Sequence, residues 1–169
     1  MRTPRFRLSL SLGAVLLLGG AARAADSPSS ADVLGKLHHS NEKEIAMGKL
    51  AQKNGQSKDV KGFGKTLVHD HTAADRKVTA LAKAEKVELK TDDMSAEDMS
   101  SLGSGADFDA KFAQAMLDDH KKDLSEATEA RDGTSDPKLK KLLTGLVPVL
   151  QKHEDTAQKI VNAHGQAKN

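Results

Sequence analysis

The chain has 169 residues with no Cys, Trp or Tyr, only four Phe, and 26 Lys and Arg against 24 Asp and Glu. No basic patch is interleaved with aromatic residues, so nothing points to a nucleic-acid partner, and the lack of Cys excludes a disulfide framework and a lipid anchor on Cys. A core so poor in aromatics has to be built from Leu, Val, Ile, Ala and Met, which suits packed helices better than sheets.

The chain opens with an export signature. Arg2, Arg5 and Arg7 precede an apolar run from Leu8 to Leu18, and Ala22-Arg23-Ala24 forms an A-x-A box, which places a cut before Ala25. Residues 1–24 are then a signal peptide, and the mature chain is expected in the periplasm or secreted; an uncleaved anchor is the other reading. Removing Arg2, Arg5, Arg7 and Arg23 but no acid leaves 22 basic against 24 acidic residues, so the basic balance belongs to the precursor. No later stretch approaches the ~20 apolar residues of a membrane span.

After a short tail (25–30), four helical segments fill residues 31–164, and 165–169 form a second tail. The first segment runs from about Ala31 to Lys53 and stops near Asn54-Gly55. The second is capped by Ser57 and continues to about Val87; the third runs from about Asp107 to Arg131, ahead of Asp132-Gly133. The fourth starts at Asp136-Pro137, an N-cap followed by Pro at the first helical position, with Pro148 predicting a kink and His164 near its end. Short links join segments one to two and three to four, so each pair should form an antiparallel hairpin. Residues 88–106 form a long polar connection that can run the length of the bundle, leaving segments two and three parallel. The predicted fold is therefore all-α, a ferritin-like four-helix bundle with a long crossover. The competing reading is a disordered or partly helical excursion joining an antiparallel pair. An internal echo favours the parallel form: Phe63, Leu67-Val68 and Asp70-His71 match Phe112, Met116-Leu117 and Asp119-His120 at identical spacing.

A polar side chain interrupts the apolar stripe of every segment. Phe63, Leu67, Ala74, Val78 and Leu81 enclose His71; Phe108, Phe112 and Met116 lead to His120; Leu139, Leu142, Leu146, Val149 and Leu150 lead to His153; Val33, Leu37, Met47 and Ala51 bracket Glu44. Two readings stand side by side. In one, Glu44, His71, His120 and His153 form a ligand set for a divalent transition metal (Zn, Fe or Cu), with Asp70, Asp75, Asp119 and Asp123 orienting the imidazoles or adding oxygen ligands. In the other, the histidines are structural core residues whose ring N–H groups bond to Glu44, the acids or backbone carbonyls. His38-His39, His69 and His164 lie off the stripes and read as surface. Asp92, Asp93, Glu97 and Asp98 lack the oxygen pattern of a Ca loop. No Glu-x-x-His is present, since Val68, Leu117 and Leu150 stand three before the three histidines, so di-iron oxidation is not expected. Nor is there a nucleophile motif or a phosphate-binding loop, and the balance leans away from an enzyme.

Several elements together carry a family resemblance: Glu44 to Ala51, Leu67 to Thr72 with Asp70-His71, Phe108-Asp109, Met116 to His120, and Leu146 to Pro148 with His153. They resemble the bacterial family called domain of unknown function 4142, over about residues 31–163. The resemblance implies an exported, ferritin-like helical bundle and no settled activity. Its members are often labelled outer-membrane proteins, but the period-two strands of a membrane barrel are absent here. Metal binding in the core and a non-metal role in envelope interaction or stress adaptation, with an envelope protein as partner, are the two functional expectations.

Overall fold

The computed structural model describes residues 28–90 and 102–166. The expected signal segment, its cut and the acidic residues Asp92, Asp93, Glu97 and Asp98 lie outside the described residues. Among the described residues the protein is four α-helices: α1 (Ser30–Asn54), α2 (Lys58–Ala84), α3 (Phe108–Gly133) and α4 (Pro137–Gln166). The starts of α1, α2 and α4 follow from local chemistry. Ser29 and Asp32 form a capping box, each side chain accepting the other's backbone N–H at 3.2 Å. The Ser57 hydroxyl accepts from the Val60 N–H at 3.2 Å. Asp136 accepts from the Lys138 N–H at 2.8 Å, with Pro137 in the first turn, where its missing N–H costs nothing. α4 continues through Pro148.

α2 stops three residues before the expected Val87, and the reason is a Schellman turn. Lys86 takes a left-handed conformation (φ 57°) while the Val87 N–H reaches back to the Ala82 carbonyl at 2.9 Å. No Gly or Pro marks this stop, so the sequence pattern runs past it.

Two core clusters define the topology. In one, Val33 and Leu34 of α1 meet Val78 and Ala82 of α2, Ala127 of α3, and Leu139 and Leu143 of α4. In the other, Met47 and Ala51 meet Val60, Phe63, Phe108, Phe112, Ala157 and Ile160. The start of α2 therefore lies beside the start of α3, and these helices are parallel, as the echo predicted. The hairpins α1–α2 and α3–α4 pack through α2 against α4 and α1 against α3, which sets α2 and α3 on a diagonal. The described ends of the crossover sit at opposite ends of the bundle: Val87 and Leu89 pack on the first cluster, and Leu102 is buried in the second.

Two contacts fix the aromatic end. An added Cβ on Gly48 would stand 2.7 Å from the Gly64 carbonyl oxygen, and one on Gly64 would stand 2.6 Å from that of Gly48. The backbones of α1 and α2 therefore touch there, which only glycine permits. The buried Asp109 carboxylate accepts the N–H groups of Gln56 at 2.8 Å and Ser57 at 2.7 Å, tying the first hairpin turn to the start of α3.

Candidate metal centre

His71, His120 and His153 project from α2, α3 and α4 into the space between the two core clusters, and each is at most 3% exposed. Their ring centroids are 5.6, 5.2 and 5.2 Å apart. One nitrogen from each lies within 4.8 Å of the other two. Phe63 closes the aromatic side, with its ring centroid 6.4 Å from His120 and 6.0 Å from His153.

Each ring has one nitrogen committed and one bare. His71 Nδ1 donates to the Asn41 Oδ1 at 2.9 Å, His120 Nδ1 to the Met116 carbonyl at 2.8 Å, and His153 Nε2 to the Asp70 Oδ2 at 3.0 Å. All three partners are acceptors, so these nitrogens carry the protons and fix the tautomers. The remaining atoms, His71 Nε2, His120 Nε2 and His153 Nδ1, are buried without a protein hydrogen-bond partner. They are bare lone pairs, and leaving each unsatisfied in the interior costs about 1–3 kcal/mol. An ion with bonds of about 2.0 Å would set the nitrogens roughly 3.4 Å apart. From a 4.8 Å spread, modest side-chain rotation suffices.

The rings are held neutral. Burial, together with the neighbouring His120 and His153, depresses His71 to about 3. Burial also lowers His120 to about 4, against the opposing pull of the Met116 carbonyl. His153 is lowered too, by burial that outweighs Asp70. Neutral imidazoles are the ligand form, so protons compete weakly with a cation here.

Glu44 is 1% exposed and lies beside the group without joining it. Its Oε1 is 3.9 Å from His120 Nδ1, the proton-bearing side of that ring, and its Oε2 has no protein partner. Burial, reinforced by the negative charges of Asp119 and Asp123, raises its carboxyl well above the usual range. The three imidazoles therefore come together, and the carboxylate expected with them stands behind His120.

Of the four acids expected to support the rings, only Asp70 bonds to one, and it reaches across to α4 rather than to its neighbour His71. Asp75 instead takes His38 Nδ1 at 2.7 Å, Asp119 pairs with Lys43 at 2.8 Å, and Asp123 accepts from the Ser40 hydroxyl. His38 is a correction to the surface reading: it is buried, between Asp75 and Glu42. His39 and His69 are exposed as expected, and the half-buried His164 lies 3.9 Å from Asp109. Sequence reasoning missed Asn41 and the Met116 carbonyl. Asn41 was legible, since Leu34, His38, Asn41, Glu44, Gly48 and Ala51 form a continuous stripe at helical spacing and all are buried. The carbonyl of Met116 follows only from its place one turn before His120.

The model of the family described as domain of unknown function (DUF4142) matches residues 17–160. The chain belongs to the DUF4142 family. A search of curated proteins returns no significant match. Among solved structures, this member of DUF4142 is similar to CopM in the Cu(I)-bound form, with a TM-score of 0.67 at 16% identity over 78% of this chain and 94% of that one. It is similar to CopM in the Cu(II)-bound form at a TM-score of 0.68 and 14% identity, over 79% and 96% of the two chains. Against CopM in an Ag-bound form the TM-score is 0.67 at 15% identity, over 79% and 94%. At these identities the likeness carries the four-helix fold and nothing finer. No described helix is long and apolar enough to cross a membrane.

Proposed function

We propose that this DUF4142 protein binds a transition-metal ion, copper first among them, in the internal centre formed by His71, His120 and His153. The observation that carries this reading is the trio of bare imidazole nitrogens, each opposite a nitrogen committed to Asn41, Met116 or Asp70. That pairing of a ligating nitrogen with a fixed N–H is how metal-binding histidines are held. Imidazole nitrogen suits copper, zinc, iron and nickel. Three neutral donors with no carboxylate among them favour an ion of low charge, because charge is costly to desolvate. Copper(I) fits, and the CopM forms of the same fold are described as holding copper or silver. The export signature supports a periplasmic or secreted location, where such a bundle would hold or buffer the ion. No catalytic step is assigned to it.

The test is metal analysis of untagged protein purified from its native compartment, with X-ray absorption on the copper-loaded form. One ion per chain with three nitrogen neighbours at about 2.0 Å is expected. His71→Ala and His120→Ala should each lose the ion, while His69→Ala, on the exposed face, should keep it. Unchanged metal content in both core variants would leave the histidines as structural residues and return the protein to the envelope-interaction reading. Intact mass of the exported protein tests the cut before Ala25.

A further inference from the structure

The centre is closed toward the aromatic end by Phe63, but it is not closed everywhere. A cavity of about 320 Å³ runs between α1 and α3 through the other half of the bundle, and Asn41 and His71 are part of its wall. Its origin lies in residue size. Ala127, Ala130 and Gly133 on α3, with Ala74 on α2, face Val33 and Leu37 across a gap they are too small to fill. A second cavity, lined by Phe63, Ile160 and His164 at the aromatic end, has none of the three rings in its wall.

Two features of the first cavity bear on what passes through it. Its wall includes Asn41 and His71, residues 5% and 3% exposed, whose Nδ2 and Nε2 atoms are buried without a protein partner. Toward the surface it carries four carboxylates, Asp70, Asp123, Glu126 and Glu129, against a single cation, Lys36. Lys36 lies 3.4 Å from Glu126, with Lys122 3.9 Å from the same carboxylate on the outside, so two cations stand against four carboxylates and the opening keeps an excess of negative charge. A concave, low-dielectric passage lined by one sign of charge focuses its field and concentrates counter-ions. Apart from Ser40, Asn41 and Thr134 the rest of the wall is apolar, which leaves those carboxylates as the charged groups a cation can step between on its way to His71.

We propose that the cleft between α1 and α3 is the route by which the metal cation reaches and leaves the three rings, with Glu126, Glu129 and Asp123 drawing it in. This rests on the metal-binding reading above and adds where exchange takes place. A route acts on rates. Blocking it slows loading and release by the same factor and leaves the equilibrium affinity alone, because none of the ligands is touched. Neutralising its rim slows loading chiefly at low salt, where exposed charges act over about 10 Å or more.

The experiment follows uptake of Cu(I) from a chromophoric chelator, and its release to an excess of that chelator, in three full-length proteins. In Ala130→Leu, both rates should fall at least tenfold while the equilibrium constant stays within about twofold. In Glu126→Gln/Glu129→Gln, uptake should fall severalfold in ~20 mM salt and approach the unsubstituted rate in ~500 mM. The unsubstituted protein is the control for the centre itself. If it binds no ion at the three rings, the proposed function fails and the route goes with it. If it binds and both variants exchange at its rate in all salts, the route alone is overturned and the centre stands. The double rim variant, altered only at the surface, decides the matter by itself should Ala130→Leu fail to fold.

Discussion

The two halves of the bundle are built on opposite principles. At one end Phe63, Phe108 and Phe112 interlock, with Phe108 and Phe112 stacked at 5.8 Å and Phe63 edge-on to Phe112 at 6.2 Å, while Gly48 and Gly64 bring two backbones into contact. At the other end Val33, Leu34, Val78, Leu139 and Leu143 pack well, yet the side facing α3 is left to alanines and a glycine and a cavity remains. The histidines sit at the boundary. The filled half supplies a rigid wall against which three rings are aimed, and the unfilled half leaves a way to them. Precision and access are thus allotted to different ends of the same four helices.

The two halves should respond in opposite directions to truncation and to filling. Phe112→Ala should cost about 3–5 kcal/mol in chemical denaturation, since a fully buried ring leaves a cavity that tight neighbours cannot close. Ala130→Leu in the open half should instead gain about 0.5–2 kcal/mol by filling existing space. Equal losses at both sites would mean that the cavity is not real empty volume.

Acid should strike at the boundary next. His71 and His120 titrate at about 3 and 4 in the folded metal-free chain and near 6.5 when unfolded, so unfolding takes up protons across that window. Their contribution to stability is complete above pH 6.5 and is lost as pH falls toward 4. Glu44 works in the opposite sense: its raised carboxyl contributes stability that is lost as pH rises above about 4.5. Two depressed imidazoles outweigh one carboxyl, so the metal-free bundle should lose on the order of 2 kcal/mol between pH 7 and pH 5. His71→Ala should flatten that slope, and Glu44→Gln should stabilise the metal-free protein at pH 7. A urea midpoint independent of pH over this range would show that the rings are not buried neutral.

The smallest effect sharpens how well the rigid half aims its ligands. Asp70→Asn keeps the shape but weakens the acceptor on His153, and metal affinity should fall about 10–100-fold with little change in fold stability. Asp75→Asn, on His38 and outside the centre, should leave affinity unchanged in the same titration.

Much of this was legible in the sequence because helical spacing is a strong signal. The 3.6-residue stripes on α2, α3 and α4 pointed to His71, His120 and His153, and Phe63-to-His71 matched against Phe112-to-His120 gave the parallel topology. The misses have physical causes. α2 ends at Ala84 because Lys86 just beyond it takes a left-handed turn, which no breaker residue announces. His38 was read as surface because the apolar residues of α1 mark its stripe poorly; the stripe is polar at its centre, through His38, Asn41 and Glu44. Glu44 occupies a buried stripe position but arrives on the wrong side of His120, and spacing along one helix fixes which face a residue takes, not what it meets across the core. Asp70, among the acids expected to orient the imidazoles, bonds to His153 and not to His71 beside it in sequence. Adjacent residues diverge by about 100° around a helix, so it serves the helix next door instead.

Asp109 has a consequence for the order in which the molecule is completed. The turn between α1 and α2 leaves two backbone N–H groups that are satisfied only by a carboxylate more than fifty positions further along the chain. The first hairpin emerging alone holds one of the three rings and an unfinished turn. Only when the second hairpin swings into register through the long crossover do the turn and the trio of rings become whole, in the same docking event. During refolding, capture of an ion should therefore lag helix formation and coincide with the last, slowest phase. A loaded centre is then a record that the whole chain has finished folding.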